Sequence, residues 1–489
     1  MATVLAVASE ADMTINFTRL FVFGDSISDA GRLPEPFRPD PPYVDGRFTN
    51  GLVYAQILPQ ELSVASNNYA YGGAKALASG PEQALIGLDA QVTEFETGYL
   101  FSAPRGSAAA IFIGGNDYHD ADPNDPTIVS RVLESVDDAA VRLARKGVED
   151  LVLFNLPLSL QTPRGIALPE AERAAEDAMI AAHNAGLRQL AATYNGAGVP
   201  TTIVDVDRLT REVHGDLETY GLKVFDIPLY TLDQNNRPVP TGITSQADPD
   251  EIAYFDPVHP SAASHGILAA FAEATLQADR ITFHGGAADT IAGISGADFV
   301  MAGGGNDSVL AGSGNDVVVA GRGNDTVSGS SGYDLIIGGS GNDTLTGSIG
   351  SDLVAGNAGN DNLSGDDDND VLLLGTGLDS ANGGAGNDLL SITDDALAGF
   401  DTVTGGTGTD VLRLEVDGEV FASAAFQAEI NAFVPGAETV LGPGVIVREV
   451  ERLEVYVDGT QAFTKGLAAP DQGAAVATLL RDADLWGLV

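Results

Sequence analysis

Cysteine is absent from the 489 residues, which excludes disulfides, thiolate metal sites and cysteine nucleophiles. Basic residues are scarce: 24 Lys and Arg stand against 69 Asp and Glu, a net charge of −45. Phosphate backbones are bound through basic patches, so nucleic acid is not an expected partner. An anionic membrane surface is disfavoured for the same reason, unless a divalent cation bridges the two. No apolar run approaches the length of a membrane span, so no transmembrane segment is expected. Thr3–Ser9 is short and follows no basic residue, which makes it a poor secretory signal peptide. Lack of both signal peptide and cysteine fits export in one step by a dedicated transporter, although a cytosolic protein would share it.

Against these absences stands a ruler of acid. Asp289, Asp298, Asp307, Asp316, Asp325, Asp334, Asp343, Asp352, Asp361, Asp370, Asp379 and Asp388 follow one another at nine-residue steps, and Asp401 and Asp410 resume the step after a four-residue insertion. Two positions after each comes an apolar residue, such as Val309, Ile336, Leu363 or Leu412, with Ala381 the weak member. Two positions before most of them stands a glycine, such as Gly305, Gly323 or Gly341. So short a period predicts a solenoid in which each unit makes one tight turn and one short strand. The apolar residue must face inward, because a strand shows alternate side chains to opposite faces. Residues 285–410 hold nineteen acidic side chains and one basic one, Arg322. Carboxylates stacked along a coil repel one another, and the glycines carry a large ordering entropy. The coil therefore needs cations to fold. Calcium suits the task, being hard, accepting six to eight oxygens, and taking carboxylates and carbonyls together.

Segments such as GGGNDSVLA (303–311) and GGSGNDTLT (338–346) resemble the RTX nonapeptide, which forms a calcium-filled parallel β-roll. The resemblance covers 285–413, with Ala287 and Asp368 departing at a usual glycine; those two units are expected to bind calcium poorly or to end the regular coil. It implies Asp298, Asp307, Asp316, Asp325, Asp334, Asp343, Asp352, Asp361, Asp370, Asp379 and Asp388 as calcium ligands. It also implies secretion from a bacterium through a type I transporter, read from an uncleaved C-terminal signal. Residues 414–489 are expected to cap the solenoid, whose last unit would otherwise expose its core, and to overlap that signal. Within them Val445–Val457 alternates apolar and charged residues and reads as one amphipathic strand.

Ahead of the repeats, after an N-terminal extension (1–18), residues 19–280 alternate apolar runs with helical patterns. Strands are expected at Leu20–Phe23, Asn68–Tyr71, Ala109–Ile113, Leu151–Asn155 and Thr202–Val206, with helices at Asn50–Glu61, Leu88–Tyr99, Thr127–Lys146, Pro169–Tyr194 and Ser261–Gln277. Such alternation predicts a parallel sheet covered on both faces, with ligands at the carboxyl ends of its strands. Chemistry-bearing segments follow the apolar runs: Gly24-Asp25-Ser26, Tyr71-Gly72-Gly73 and Gly114-Gly115-Asn116-Asp117, then Asp256-Pro257-Val258-His259 before the last helix.

In this order FVFGDSISDAG (21–31), GRFTNG (46–51), NYAYGGA (68–74), IGGND (113–117), NLPLSLQTP (155–163) and FDPVHPSAA (255–263) resemble the GDSL (SGNH) hydrolases. That resemblance implies a three-layer α/β flavodoxin-like domain followed, in this chain, by the all-β roll. A serine hydroxyl is a feeble nucleophile without an adjacent base. Ser26 is thus expected to attack, His259 to move the proton, and Asp256 to orient the imidazole. The family places the oxyanion donors at the Ser26 N–H, the Gly73 N–H and the Asn116 side chain, although Gly72 could serve in place of Gly73. The expected activity is hydrolysis of carboxylic esters or lipids, with calcium structural. Phospholipase, acyltransferase or polysaccharide deacetylase chemistry would use the same triad, and a calcium-dependent adhesive protein with a vestigial hydrolase domain is the rival from another class. Asp25, Asp29 and Asp117 read as structural and His183 as packing or surface. His119, His214 and His265 have no evident partner in the sequence, and Tyr71 and Tyr118 either line an acyl pocket or pack.

Overall fold

The computed structural model describes residues 17–466 apart from 34–37, 40–41, 78–79, 123–124, 234–237, 244–248, 393–400, 417, 442–444 and 458–459; beyond 466 it describes 481, 483, 486 and 488. Residues 1–16 of the N-terminal extension and most of the expected export signal lie outside these. The chain divides into two compact units, one of Thr14–Leu217 with Leu222–Leu276, the other holding Glu218–Gly221 and the residues from Gln277 onward.

In the first unit five parallel strands, β1 (Arg19–Gly24), β2 (Ala65–Asn68), β3 (Ser107–Phe112), β4 (Asp150–Phe154) and β5 (Thr201–Val204), line up in the order β2-β1-β3-β4-β5. Parallel pairing needs crossovers, and these are the helices Tyr54–Glu61, Leu88–Gly98, Ile128–Arg145 and Glu170–Gly196. Strand order reverses between β1 and β3, so the crevice beyond Gly24 and Phe112 is where ligands settle in such sheets. The strand expected at Asn68–Tyr71 lies three residues earlier. Its apolar run is instead the chain leaving the sheet: Asn68 folds back, its amide donating to the Ser28 carbonyl (2.6 Å) while its Oδ1 accepts from the Ala70 N–H (2.8 Å). Central strands β1 and β3 are buried throughout except Arg19, as strands covered on both faces must be.

The second unit is the roll. Successive strands alternate between two parallel sheets, so that each turn takes eighteen residues: Val317 pairs with Leu335, and Thr326 with Thr344. Val300, Val309, Val318, Val327, Ile336, Leu345, Val354, Leu363, Leu372, Leu390, Val403 and Leu412 form one buried core between the sheets. The outer faces differ. On one sheet the flanking residues are also apolar and buried (Phe299, Leu335, Ile337, Leu353, Val371), while on the other they are exposed and polar (Ser308, Thr326, Thr344, Asn362, Ser380). The nine-residue repeat therefore conceals an eighteen-residue one.

The coil also runs further than expected. Val445–Val457 is not one strand: Val445–Arg448 joins one sheet and Arg452–Val457 the other, with Glu449 at positive φ turning between them. Antiparallel strands Thr439–Leu441 and Thr460–Gly466 then close the two edges, and Phe426, Ile430 and Phe433 plug the core. Asp368 does not end the coil. It takes the left-handed conformation of the missing glycine (φ 81°), and Asn362–Asp367 still pairs with Ser380–Ala385.

Candidate active site and calcium sites

Each chemistry-bearing segment leaves the carboxyl end of a strand. Ser26 follows β1, whose last residue is held as if by another strand: the Gln91 side chain accepts from the Gly24 N–H (2.9 Å) and donates to its carbonyl (2.8 Å). Asp256 and His259 lie in a turn before the helix Ala262–Gln277, with the Asp256 Oδ1 accepting from the Val258 (2.8 Å) and His259 (2.9 Å) N–H groups. That turn fixes both side chains. His259 Nδ1 lies 2.7 Å from Asp256 Oδ2, and His259 Nε2 lies 2.8 Å from Ser26 Oγ. Residues 233 positions apart thus form one chain of hydrogen bonds.

The GRFTNG segment explains how the turn stays in place. Thr49 Oγ1 donates to the Pro260 carbonyl (3.0 Å), Asn50 Oδ1 accepts from the Ala262 N–H (2.8 Å), and Phe48 stacks on the His259 ring with centroids 5.0 Å apart. One participant escaped the sequence reading. Tyr43 donates to Asp256 Oδ2 at 2.6 Å, and its ring packs on Phe48 and Phe255. No spacing rule ties a tyrosine in a proline-rich loop to a carboxylate 213 residues away.

The Gly72 N–H is engaged by Asp29 Oδ2 (2.8 Å), and Gly73 sits at φ 74° with open space where a side chain would be. Asn116 spends one amide hydrogen on the Ala74 carbonyl (3.0 Å), which aims the group and leaves the second free to serve. Asp117 accepts from the Ala76 and Leu77 N–H groups, and Asp29 also from Gly31 and Arg32. Both act as loop clasps.

Electrostatics follow from burial and neighbours. Burial alone would raise Asp256, yet the His259 charge and the hydrogen bonds from His259, Tyr43 and Val258 bring it down to about 2. Burial opposes the His259 imidazolium, but Asp256, and more weakly Asp25, outweigh it and hold His259 above its ordinary 6.5. Burial lifts Asp25, whose Oδ1 accepts from the Ile27 N–H, to about 7. The other histidines are framework. Burial lowers His183 to about 4 beside the Tyr118 hydroxyl (2.9 Å), and His265, which accepts from the Tyr54 N–H, to about 3. Tyr118 is thereby placed in packing. His214 stacks on Phe225, and His119 lies 3.5 Å from Glu176, which also takes Arg164 and Ser159. Tyr71 lies under the Arg32 guanidinium.

In the roll the aspartates form a ladder. Each donates its N–H to the Oδ1 of the aspartate one turn on: Asp289 to Asp307, Asp298 to Asp316, and so to Asp410, at 2.7–2.9 Å. Glu451 takes the next place, accepting from the Asp410 N–H (3.0 Å). In Asp307, Asp316, Asp325, Asp334, Asp352, Asp361, Asp370, Asp379, Asp388, Asp401 and Asp410 the second oxygen is buried with no hydrogen-bond donor from the protein. A buried carboxylate oxygen without a donor is costly, so these oxygens await a cation. Carbonyls converge on the same places: a methyl group on Gly365 would lie 2.2 Å from Asp370 Oδ2 and 2.6 Å from the Gly383 oxygen. An all-oxygen donor set of this kind fits calcium. Asp401 and Asp410 are full members of the ladder. Asp298 is not. Arg280 donates to its Oδ1 (2.8 Å) and the Ile294 N–H to its Oδ2 (2.6 Å), so both of its oxygens already have donors from the protein.

The model of the GDSL-like Lipase/Acylhydrolase family matches residues 20–271, and that of the RTX calcium-binding nonapeptide repeat matches five stretches between 285 and 415. A phosphatidylcholine-sterol acyltransferase of Aeromonas hydrophila is 32% identical over 43% of this chain and 65% of its own. A thermolabile hemolysin of Vibrio parahaemolyticus is 23% identical over 51% of this chain and 62% of its own. The chain thus spans just under two thirds of the length of the curated relatives it matches. Among solved structures, a putative GDSL-like lipase from Parabacteroides merdae is 15% identical over 54% of this chain and 98% of its own, with a TM-score of 0.31.

Proposed function

This chain belongs to the GDSL-like lipase/acylhydrolase family, and on that premise we propose that it is a secreted ester hydrolase acting through an acyl-enzyme on Ser26. The observation that carries the reading is the series Ser26 Oγ, His259 Nε2, His259 Nδ1, Asp256 Oδ2, at 2.8 and 2.7 Å. His259 takes the hydroxyl proton as Ser26 attacks the ester carbonyl, then delivers it to the leaving alkoxide. Asp256, ionised at any working pH, holds the tautomer that keeps Nε2 free to accept. The Gly73 N–H, the Ser26 N–H and the second Asn116 hydrogen receive the oxyanion. A water then repeats the sequence and releases the acid.

Similarity to the Aeromonas acyltransferase favours acyl esters of lipids as substrates, with an alcohol able to replace water as acyl acceptor. Calcium would be held by the second carboxylate oxygens of Asp307 to Asp410 with loop carbonyls. It supplies charge neutralisation to the fold and no step of the reaction. Extracellular-type sites of about 0.1–1 mM stay empty at cytosolic calcium, so the repeats leave the cell unfolded and set outside. Ser26→Ala should abolish ester turnover and labelling by a serine-directed phosphonate, while circular dichroism with calcium is unchanged. Substantial turnover in that variant rejects the assignment, and folded repeats at submicromolar calcium reject the export model.

A further inference from the structure

We propose that Tyr43 is a fourth, positioning member of the Ser26–His259–Asp256 series, and that its hydroxyl sets the basicity of His259 by sharing the Asp256 charge. The inference rests on the acyl-enzyme reading of the preceding section. It starts from a saturated carboxylate. Asp256 is 1% exposed, and its four acceptor positions are filled by the Val258 and His259 N–H groups on Oδ1 and by His259 Nδ1 and Tyr43 Oη on Oδ2. The two donors on Oδ2 compete for the same electron density. A stronger Tyr43 bond means a weaker pull of Asp256 on the imidazolium.

Tyr43 can only donate here. Burial first, then the adjacent Asp256 charge, raise its hydroxyl far above the ordinary 10, so it stays protonated. Its direction is fixed by packing: the ring lies 5.1 Å from Phe255, the residue before Asp256, and 5.7 Å from Phe48. Phe48 in turn covers His259. Three aromatic rings therefore wall the carboxylate–imidazole pair, and the single polar atom they offer to Asp256 is the Tyr43 hydroxyl. Other titratable groups facing the pair are Asp25, which raises His259, and His119 and His265, both lowered chiefly by burial and kept neutral. None is hydrogen-bonded to Asp256 in the contacts named above. A tyrosine that merely packed could have pointed its oxygen to solvent.

Tyr43→Phe keeps the ring and removes the hydroxyl. With one donor fewer, Oδ2 concentrates its charge on His259 Nδ1–H and the imidazolium is stabilised. The acid limb of the kcat/KM profile should move to higher pH by about half a unit to one unit. kcat at neutral pH should fall about threefold to tenfold with KM little changed, because a smaller fraction of His259 is neutral and able to take the Ser26 proton. The Nδ1 proton resonance of His259 should shift downfield in the resting protein, a readout that needs no substrate. An unmoved acid limb with an unmoved resonance overturns the proposal, as does a rise in KM with kcat retained. Loss of turnover without displacement of limb or resonance assigns Tyr43 to packing and overturns it too. Failure of the acyl-enzyme reading shows separately, as turnover surviving Ser26→Ala, and leaves the resonance test intact.

Discussion

At the scale of single residues, the proposed reaction depends on where protons are held. His259 works as a base only when neutral, and its neighbours raise its pKa above 6.5. Activity should therefore rise with pH, with the midpoint of kcat/KM above 6.5; a midpoint below that value contradicts the pairing with Asp256. The same shift stabilises the folded unit below pH 6.5 and is lost as pH rises through the folded value. Asn116→Ala removes one proposed oxyanion donor and should lower kcat by about 10² to 10³, with KM nearly constant, as measured on a soluble ester. Ser26, Asp256 and His259 were legible because each sits in a short motif with its own chemistry, and the motifs come in one order. Tyr43, Phe48 and the engagement of the Gly72 N–H by Asp29 were not. They depend on which atoms remain unengaged once distant loops meet, and no local pattern encodes that.

At the scale of elements, the repeat teaches a different lesson. Core positions were legible at the nine-residue step because strand alternation dictates them. The contrast between the two outer faces was not: it lives in residues beside the aspartates, DLII against DTLT, and shows only when alternate units are compared (334–337, 343–346). Val445–Val457 misled because alternation survives a turn that holds two strands in register. The ladder also makes a prediction about acid. Burial first, and then neighbouring carboxylates, raise Asp334 to about 8 and Asp370 to about 9. The folded coil therefore binds more protons than the unfolded chain between the ordinary aspartate range and neutrality, and stability falls as pH rises. Without calcium, lowering pH from 8 to 5 should increase strand content by circular dichroism; an unchanged or reduced signal refutes the ladder electrostatics. With calcium the effect should reverse, since protons displace the ion. Gly365→Ala tests the site itself. Its methyl group would occupy the space between Asp370 Oδ2 and the Gly383 oxygen, so the variant should bind fewer calcium ions by direct titration, whereas Leu363→Ala should retain them and lose about 2–5 kcal/mol of stability.

At the scale of the whole molecule, a net charge of −45 is carried unequally. Residues 281–489 hold thirty-one acidic side chains against six basic ones, and the stacked carboxylates of the ladder lie among them. Among its described residues the α/β unit has no such ladder; its buried carboxylates at Asp29, Asp117 and Asp256 are each bonded by backbone or side-chain donors. Withdrawal of calcium should thus act on one unit alone. In excess chelator the strand signal of the repeats should disappear while helical ellipticity and turnover of a soluble short-chain ester persist. Thermal scans should show two transitions, the lower one moving with calcium concentration as mass action requires. Sodium chloride discriminates between charge screening and coordination. At 1 M the Debye length is about 3 Å, which weakens repulsion between exposed acids but supplies no ligand to oxygens already withdrawn from water. Restoring calcium should rebuild the roll, and sodium should not. Recovery of strand content in sodium chloride with chelator would mean that repulsion alone kept the coil open. Simultaneous loss of turnover and strand signal would mean that the ions serve the catalytic unit as well.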